Sequence, residues 1–157
     1  HKLAQQYKMS SEQYEEAKKI YQAYVFFMTF YPGILSIFAG DEMGIQGVGN
    51  LDNRKPLSWN NIDEQMLTFF KQMGEIRKNE VFLRDADIIV KNININYAMF
   101  ERIKKEERML VVVNRTNMEQ QFMVPEEYRS AEKVYTLKKY RPGMVAPYGG
   151  VAIKIGK

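Results

Sequence analysis

The residues of this chain best able to do chemistry are the adjacent pair Asp41-Glu42, the lone His1, and Asn50, Asp52 and Arg54 within a glycine-rich stretch. Two carboxyl groups that act on one bond must face each other across it. Asp41 and Glu42 follow an apolar run expected to be extended, where successive side chains point to opposite sides. The pair is therefore expected to orient the loop that follows, and no catalytic residue is assigned. Arg54 has two open readings: a contact to a bound ligand, or an ion pair with Asp52 or Asp41. Trp59 lies beside Pro56 at the start of a helix, so packing is expected of it in preference to a stacking platform. With one histidine and no cysteine, no disulfide, thiolate or transition-metal site is expected, and no cofactor is implied.

Stepping along the chain gives the elements that must hold these residues. Ala17, Ile20, Tyr21, Tyr24, Phe27, Met28 and Tyr31 recur at three- and four-residue steps, which predicts a helix over 11–31 with these residues on its apolar face. Ser10 with Gln13 forms a capping-box pattern, and Pro32-Gly33 stops the helix. The second half of the helix is apolar nearly all round, as in a helix covered by neighbours on most sides. Ile34–Ala39 is a short continuous apolar run, the pattern of a parallel strand buried on both faces. It ends in Gly40-Asp41-Glu42, and α/β folds place ligands at such strand ends. A long loop reaches to Trp59. A second helix follows, capped by Asn61 and Glu64, with Met66, Phe69, Phe70, Met73 and Ile76 as its stripe and Arg77-Lys78 at its negative pole.

Beyond Asn79 the pattern becomes extended. Residues 86–90, 97–103, 108–114, 120–124, 133–137 and 151–155 read as strands of an antiparallel domain, with turns at 92–96 and 141–143. Tyr97, Phe100, Tyr135 and Tyr140 are expected in its core. Met66, Met73 and Met99 are expected to fill gaps in packing.

The whole sequence has 157 residues, 45% of them apolar, with 23 basic and 19 acidic side chains and a formal charge of +4. That is the composition of a folded protein. The charges interleave without a one-sided basic stripe, so no nucleic-acid partner is expected. The longest apolar stretch is broken at Thr29 and Pro32-Gly33, so no membrane partner is expected either. Absence of cysteine and of an export signal leans towards the cytoplasm, with secretion still open.

The segment Tyr31–Gly44, with its proline-glycine, apolar run and glycine-aspartate-glutamate-(any)-glycine, resembles the eighth barrel strand of alpha-amylase family glycoside hydrolases. Asn53-Arg54-Lys55-Pro56-Leu57-Ser58-Trp59 is similar to the loop after that strand, closest to the cyclomaltodextrinase, neopullulanase and α-glucosidase branch. The Met109–Arg115 strand also has the family's apolar-to-asparagine form. The resemblance implies α/β plus all-β architecture: residues 1–79 as the last strand and flanking helices of a (β/α)8 barrel, and 80–157 as an antiparallel β-sandwich domain.

In that family the three catalytic carboxylates lie on strands four, five and seven, so none is expected here. Arg54 and Asn50 would contact an α-glucan oligosaccharide, although Asn50 and Leu51 stand where many relatives have aspartate and proline. His1 would be a remnant of a histidine-aspartate step, with Lys2 in place of the aspartate, or else a chain edge. Asp41 and Glu42 would belong to the barrel rim. The implied activity is retaining hydrolysis of α-glucosidic bonds by a parent protein, with this part inert alone. The alternative is a non-catalytic barrel-like relative or a carbohydrate-binding module. A barrel strand without its neighbours implies self-association, disorder or rearranged packing before about Met43.

Overall fold

The computed structural model describes residues 8–47, 52, 54–131 and 133–156. His1 and Asn50, both expected at the ligand site, lie outside the described residues.

Helix α1 spans Ser11–Phe30. Its start is the expected capping box: the Ser10 hydroxyl accepts from the Gln13 N–H at 3.2 Å, and the Gln13 side chain accepts from the Ser10 N–H at 2.9 Å. It stops where Tyr31, ahead of Pro32, turns extended. Its orientation differs from the expected one. The buried face carries Ala23, Val25, Phe26, Thr29 and Phe30, while Ile20 and Tyr24 of the predicted stripe are exposed. The helix has two apolar faces, and among the described residues one of them is covered.

The run 34–39 forms no strand. A strand is defined by hydrogen bonds to a neighbour, and among the described residues none pairs with the segment. Ile34 is 92% exposed and Phe38 57% exposed. A short 3-10 turn, Asp41–Met43, follows, so Asp41 and Glu42 sit on a tight turn and not on the extended backbone expected for them.

Helix α2, Glu64–Asn79, buries Met66, Phe69, Phe70 and Met73. Its N-cap is Asp63, in place of the expected Asn61 or Glu64: its carboxylate accepts from the Gln65 and Met66 N–H groups at 3.0 Å each.

The remaining chain forms two antiparallel sheets. Strands β1 (Asp87–Ile93), β2 (Tyr97–Lys104), β3 (Glu107–Asn114), β5 (Lys133–Leu137) and β8 (Gly150–Ile155) make a five-stranded sheet in the order β1-β2-β3-β8-β5. The short strands β4 (Gln120–Gln121), β6 (Tyr140–Arg141) and β7 (Met144–Val145) form the second sheet, in the order β4-β7-β6. The β6-β7 hairpin lies in a region read as a turn; two-residue strands are too short to leave a period-two pattern.

Along β3 the alternation divides two cores. Met109, Val111 and Val113 face α1 and α2, whereas Leu110 and Val112 face Phe122, Tyr128 and Val145 beneath the second sheet. Gly150 lets α1 approach this closely, because a Cβ there would meet the Phe26 ring at 2.5 Å. Phe100 is buried, with Tyr97, Tyr135 and Tyr140 partly buried against the cores, and Met66, Met73 and Met99 are buried as expected.

Candidate functional site

The site is built on the turn after residue 40 and the described residues between it and α2, 44–47, 52 and 54–63. Within the turn the Met43 N–H donates to the Gly40 carbonyl and the Gly44 N–H to the Asp41 carbonyl, at 3.0 and 3.1 Å. Gly44 has φ +70°, and a Cβ there would lie 2.0 Å from the Tyr14 hydroxyl, so both backbone and space require glycine.

Asp41 and Glu42 serve different partners. The Tyr21 hydroxyl donates to the Asp41 carboxylate at 2.5 Å, and the Glu42 carboxylate accepts from the Gly40 N–H at 3.0 Å. Partial burial and the bond to Asp41 together push the Tyr21 phenol well above its ordinary range. One carboxylate thus holds a helix and the other closes its own turn.

At the far end of the loop, Asp63 receives the Tyr14 hydroxyl at 2.8 Å and the Lys18 ammonium at 2.7 Å. Burial works against ionisation of Asp63, but the hydrogen bonds from Lys18, the Met66 N–H and Tyr14 hold its carboxyl below the ordinary aspartate range. The Asp63 N–H also donates to the Met43 carbonyl at 3.0 Å, joining the two ends of the loop. A cavity of about 570 Å³ lies between the loop and the first half of α1, lined by Tyr14, Lys18, Tyr21, Asp41, Gln46 and Lys55.

Arg54 is exposed. Of the two carboxylates considered as its partners, Asp41 accepts from the Tyr21 hydroxyl at 2.5 Å and Asp52 lies 3.5 Å from the Lys55 ammonium. Trp59, expected to pack, is 69% exposed. Among the described residues no cluster of three or more histidine, aspartate or glutamate side chains could hold a metal ion. No helix of the structure is long and apolar enough to cross a membrane.

Sequence reasoning missed Tyr14, Lys18, Tyr21 and Asp63 as a group. The available signal was the spacing of Tyr14, Lys18 and Tyr21 at four and three residues, which puts them on one helix stripe. Tyr21 also belongs to the apolar face by its spacing, and nothing local tells a lysine that it will meet an aspartate far along the chain.

The fold is similar to that of alpha-amylase family glycoside hydrolases. In sequence, the chain is 31% identical over 105 residues to an amylopullulanase of Thermoanaerobacterium saccharolyticum, a match covering 60% of this chain and 8% of that protein. It is 24% identical over 118 residues to a cyclomaltodextrinase of Geobacillus thermopakistaniensis (strain MAS1), covering 73% of this chain and 20% of the relative. In fold, the maltogenic amylase from S. marinus superposes with a TM-score of 0.70 at 23% identity, over 87% of this chain and 19% of that one. No protein-family model matches the chain. The chain therefore spans a small part of the length of the relatives it matches.

Proposed function

We propose that this chain forms the strand-eight rim and the β-domain of a retaining glycoside hydrolase that acts on α-glucosidic bonds of starch-derived oligosaccharides. The observation that carries the reading is the anchored turn Gly40–Gly44, leading through a loop that exposes Arg54, in a chain similar to amylopullulanase and cyclomaltodextrinase. In this reading Arg54, with Asn50, contacts a glucose unit of the bound oligosaccharide. The exposed stripe of α1 and the unpaired run 34–39 are the surfaces on which the rest of a barrel sheet would sit.

A retaining double displacement needs a nucleophilic carboxylate and an acid/base carboxyl roughly 5–5.5 Å apart across the scissile bond. In this reading Asp41 and Glu42, which accept from the Tyr21 hydroxyl and the Gly40 N–H, hold the rim, and the proton transfers belong to other carboxylates. By itself it is expected to be inert. Incubation with maltotriose, cyclodextrin and pullulan should give no product above a blank, and measurable turnover would refute the inertness. The coding sequence upstream of His1 should specify three carboxylates at the ends of strands four, five and seven; their absence would favour a non-catalytic relative.

A further inference from the structure

We infer that Tyr14, Lys18 and Tyr21 on one stripe of α1 are positioning residues for the rim loop, fixing its first end through Asp41 and its last through Asp63. The inference rests on the glycosidase reading. The stripe meets the loop at both ends: Tyr21 donates to Asp41 at 2.5 Å, while Tyr14 and Lys18 donate to one oxygen of Asp63 at 2.8 and 2.7 Å. The other oxygen of Asp63 caps α2, so the same carboxylate locks the loop end to two helices.

Lys18 is the informative member. Its side chain is 6% exposed, and its ammonium is held by Asp63, by Gln65 at 2.9 Å and by Glu15 at 3.9 Å. Lysine is almost never buried unless paired. An apolar residue of similar volume would satisfy packing at that point at least as well. What it would not supply is a directional bond that fixes where Asp63 lies. Tyr14 adds a steric stop, since its hydroxyl fills the space beside Gly44. Arg54 is exposed between these two ends, and in this inference they constrain where it can meet a bound sugar.

The test uses Tyr21→Phe and Lys18→Met in the complete gene product, with amide hydrogen exchange and steady-state kinetics on maltotriose. Loss of one hydrogen bond to a charged partner, about 1.5 kcal/mol, corresponds to roughly tenfold faster exchange. Tyr21→Phe is expected to show this at residues 41–45, and Lys18→Met at 63–66, with the β3 amides of Met109–Val113 unchanged. KM should rise several-fold with kcat retained, the signature of lost binding without lost chemistry. Unchanged exchange at both loop ends, an equal acceleration in β3, or selective exchange with an unmoved KM would each overturn the inference. Tyr21→Phe keeps the ring and its packing, so a folding failure of the lysine variant would not mask the result. Absence of turnover in the unsubstituted gene product would instead refute the glycosidase reading, and the exchange comparison would still decide whether the loop ends are held.

Discussion

Arg102 lies on β2, almost wholly buried, and its guanidinium donates to the carbonyls of Phe30 at 2.6 Å, Ala86 at 2.6 Å and Leu83 at 3.0 Å. Phe30 ends α1, whose last turn contains no basic residue of its own. Arg77 of α2 reaches the same end, donating to the Thr29 carbonyl at 3.2 Å. The two arginines therefore satisfy the orphan carbonyls and the negative pole of α1 from other elements. Burial, and then the nearby Arg77 charge, lower the Arg102 pKa from an ordinary value so high that it stays protonated. Arg102→Ala should cost about 3 kcal/mol, because the carbonyls are left buried and unpaired; a shift in urea midpoint checks it. Arg102→Lys should recover less than half, since an ammonium on a flexible stem cannot fork to diverging carbonyls. At Gly44 the expected cost of alanine is about 2 kcal/mol from positive φ alone, plus the clash with Tyr14. A double-mutant cycle with Tyr14→Phe should show the clash as a favourable coupling.

Between elements, two buried glutamates act as joints. Glu80, at the end of α2, accepts from Tyr135 and Lys133 on β5 and from Lys154 on β8 at 2.8 Å. Glu101 on β2 accepts from Arg108 on β3 at 3.0 Å, Lys91 on β1 at 3.0 Å and the Tyr128 hydroxyl at 3.0 Å. Burial pushes both carboxyls up, but the hydrogen bonds from these cations and phenols outweigh it and hold both below the ordinary glutamate value of 4.5. The unfolded chain then binds these protons at higher pH than the folded one, so stability rises with pH across that interval. The contribution is fully present above about pH 4.5 and is lost as pH falls through the lower folded values. Urea unfolding measured from pH 6 to 3 should be nearly level at first and then fall steeply. The Glu101→Gln variant should be less stable at pH 6 and less sensitive to acid.

Over the whole molecule, the core between α1, α2 and the five-stranded sheet is continuous. Among the described residues Ile20 and Tyr24 of α1, and Ile34, Ile37 and Phe38 after it, are all exposed. Exposed apolar surface and an unpaired extended segment favour association. Sedimentation velocity of this chain alone should show dimers or larger species at micromolar concentration. The double substitution Ile34→Asn and Phe38→Ser should shift the distribution towards monomer without lowering the thermal midpoint, since neither side chain is in the core.

The sequence by itself determined α1 and its capping box, the stripe of α2 and the strands of the main sheet, because each is written in residues close together along the chain. The side chain of Asn114 extends this to the family-like strand end: it donates to the Met118 and Ala146 carbonyls at 2.7 and 3.0 Å and accepts from the Thr116 N–H at 2.9 Å. Tertiary structure decided which face of α1 is buried, since a helix apolar on two sides encodes no preference until one side meets a partner. It also decided that 34–39 is no strand here, because pairing is a property of two segments, and that Lys18, Tyr14 and Tyr21 converge on carboxylates distant in sequence. Those contacts are set by the packing of α1 against α2, and no periodicity within either helix records them.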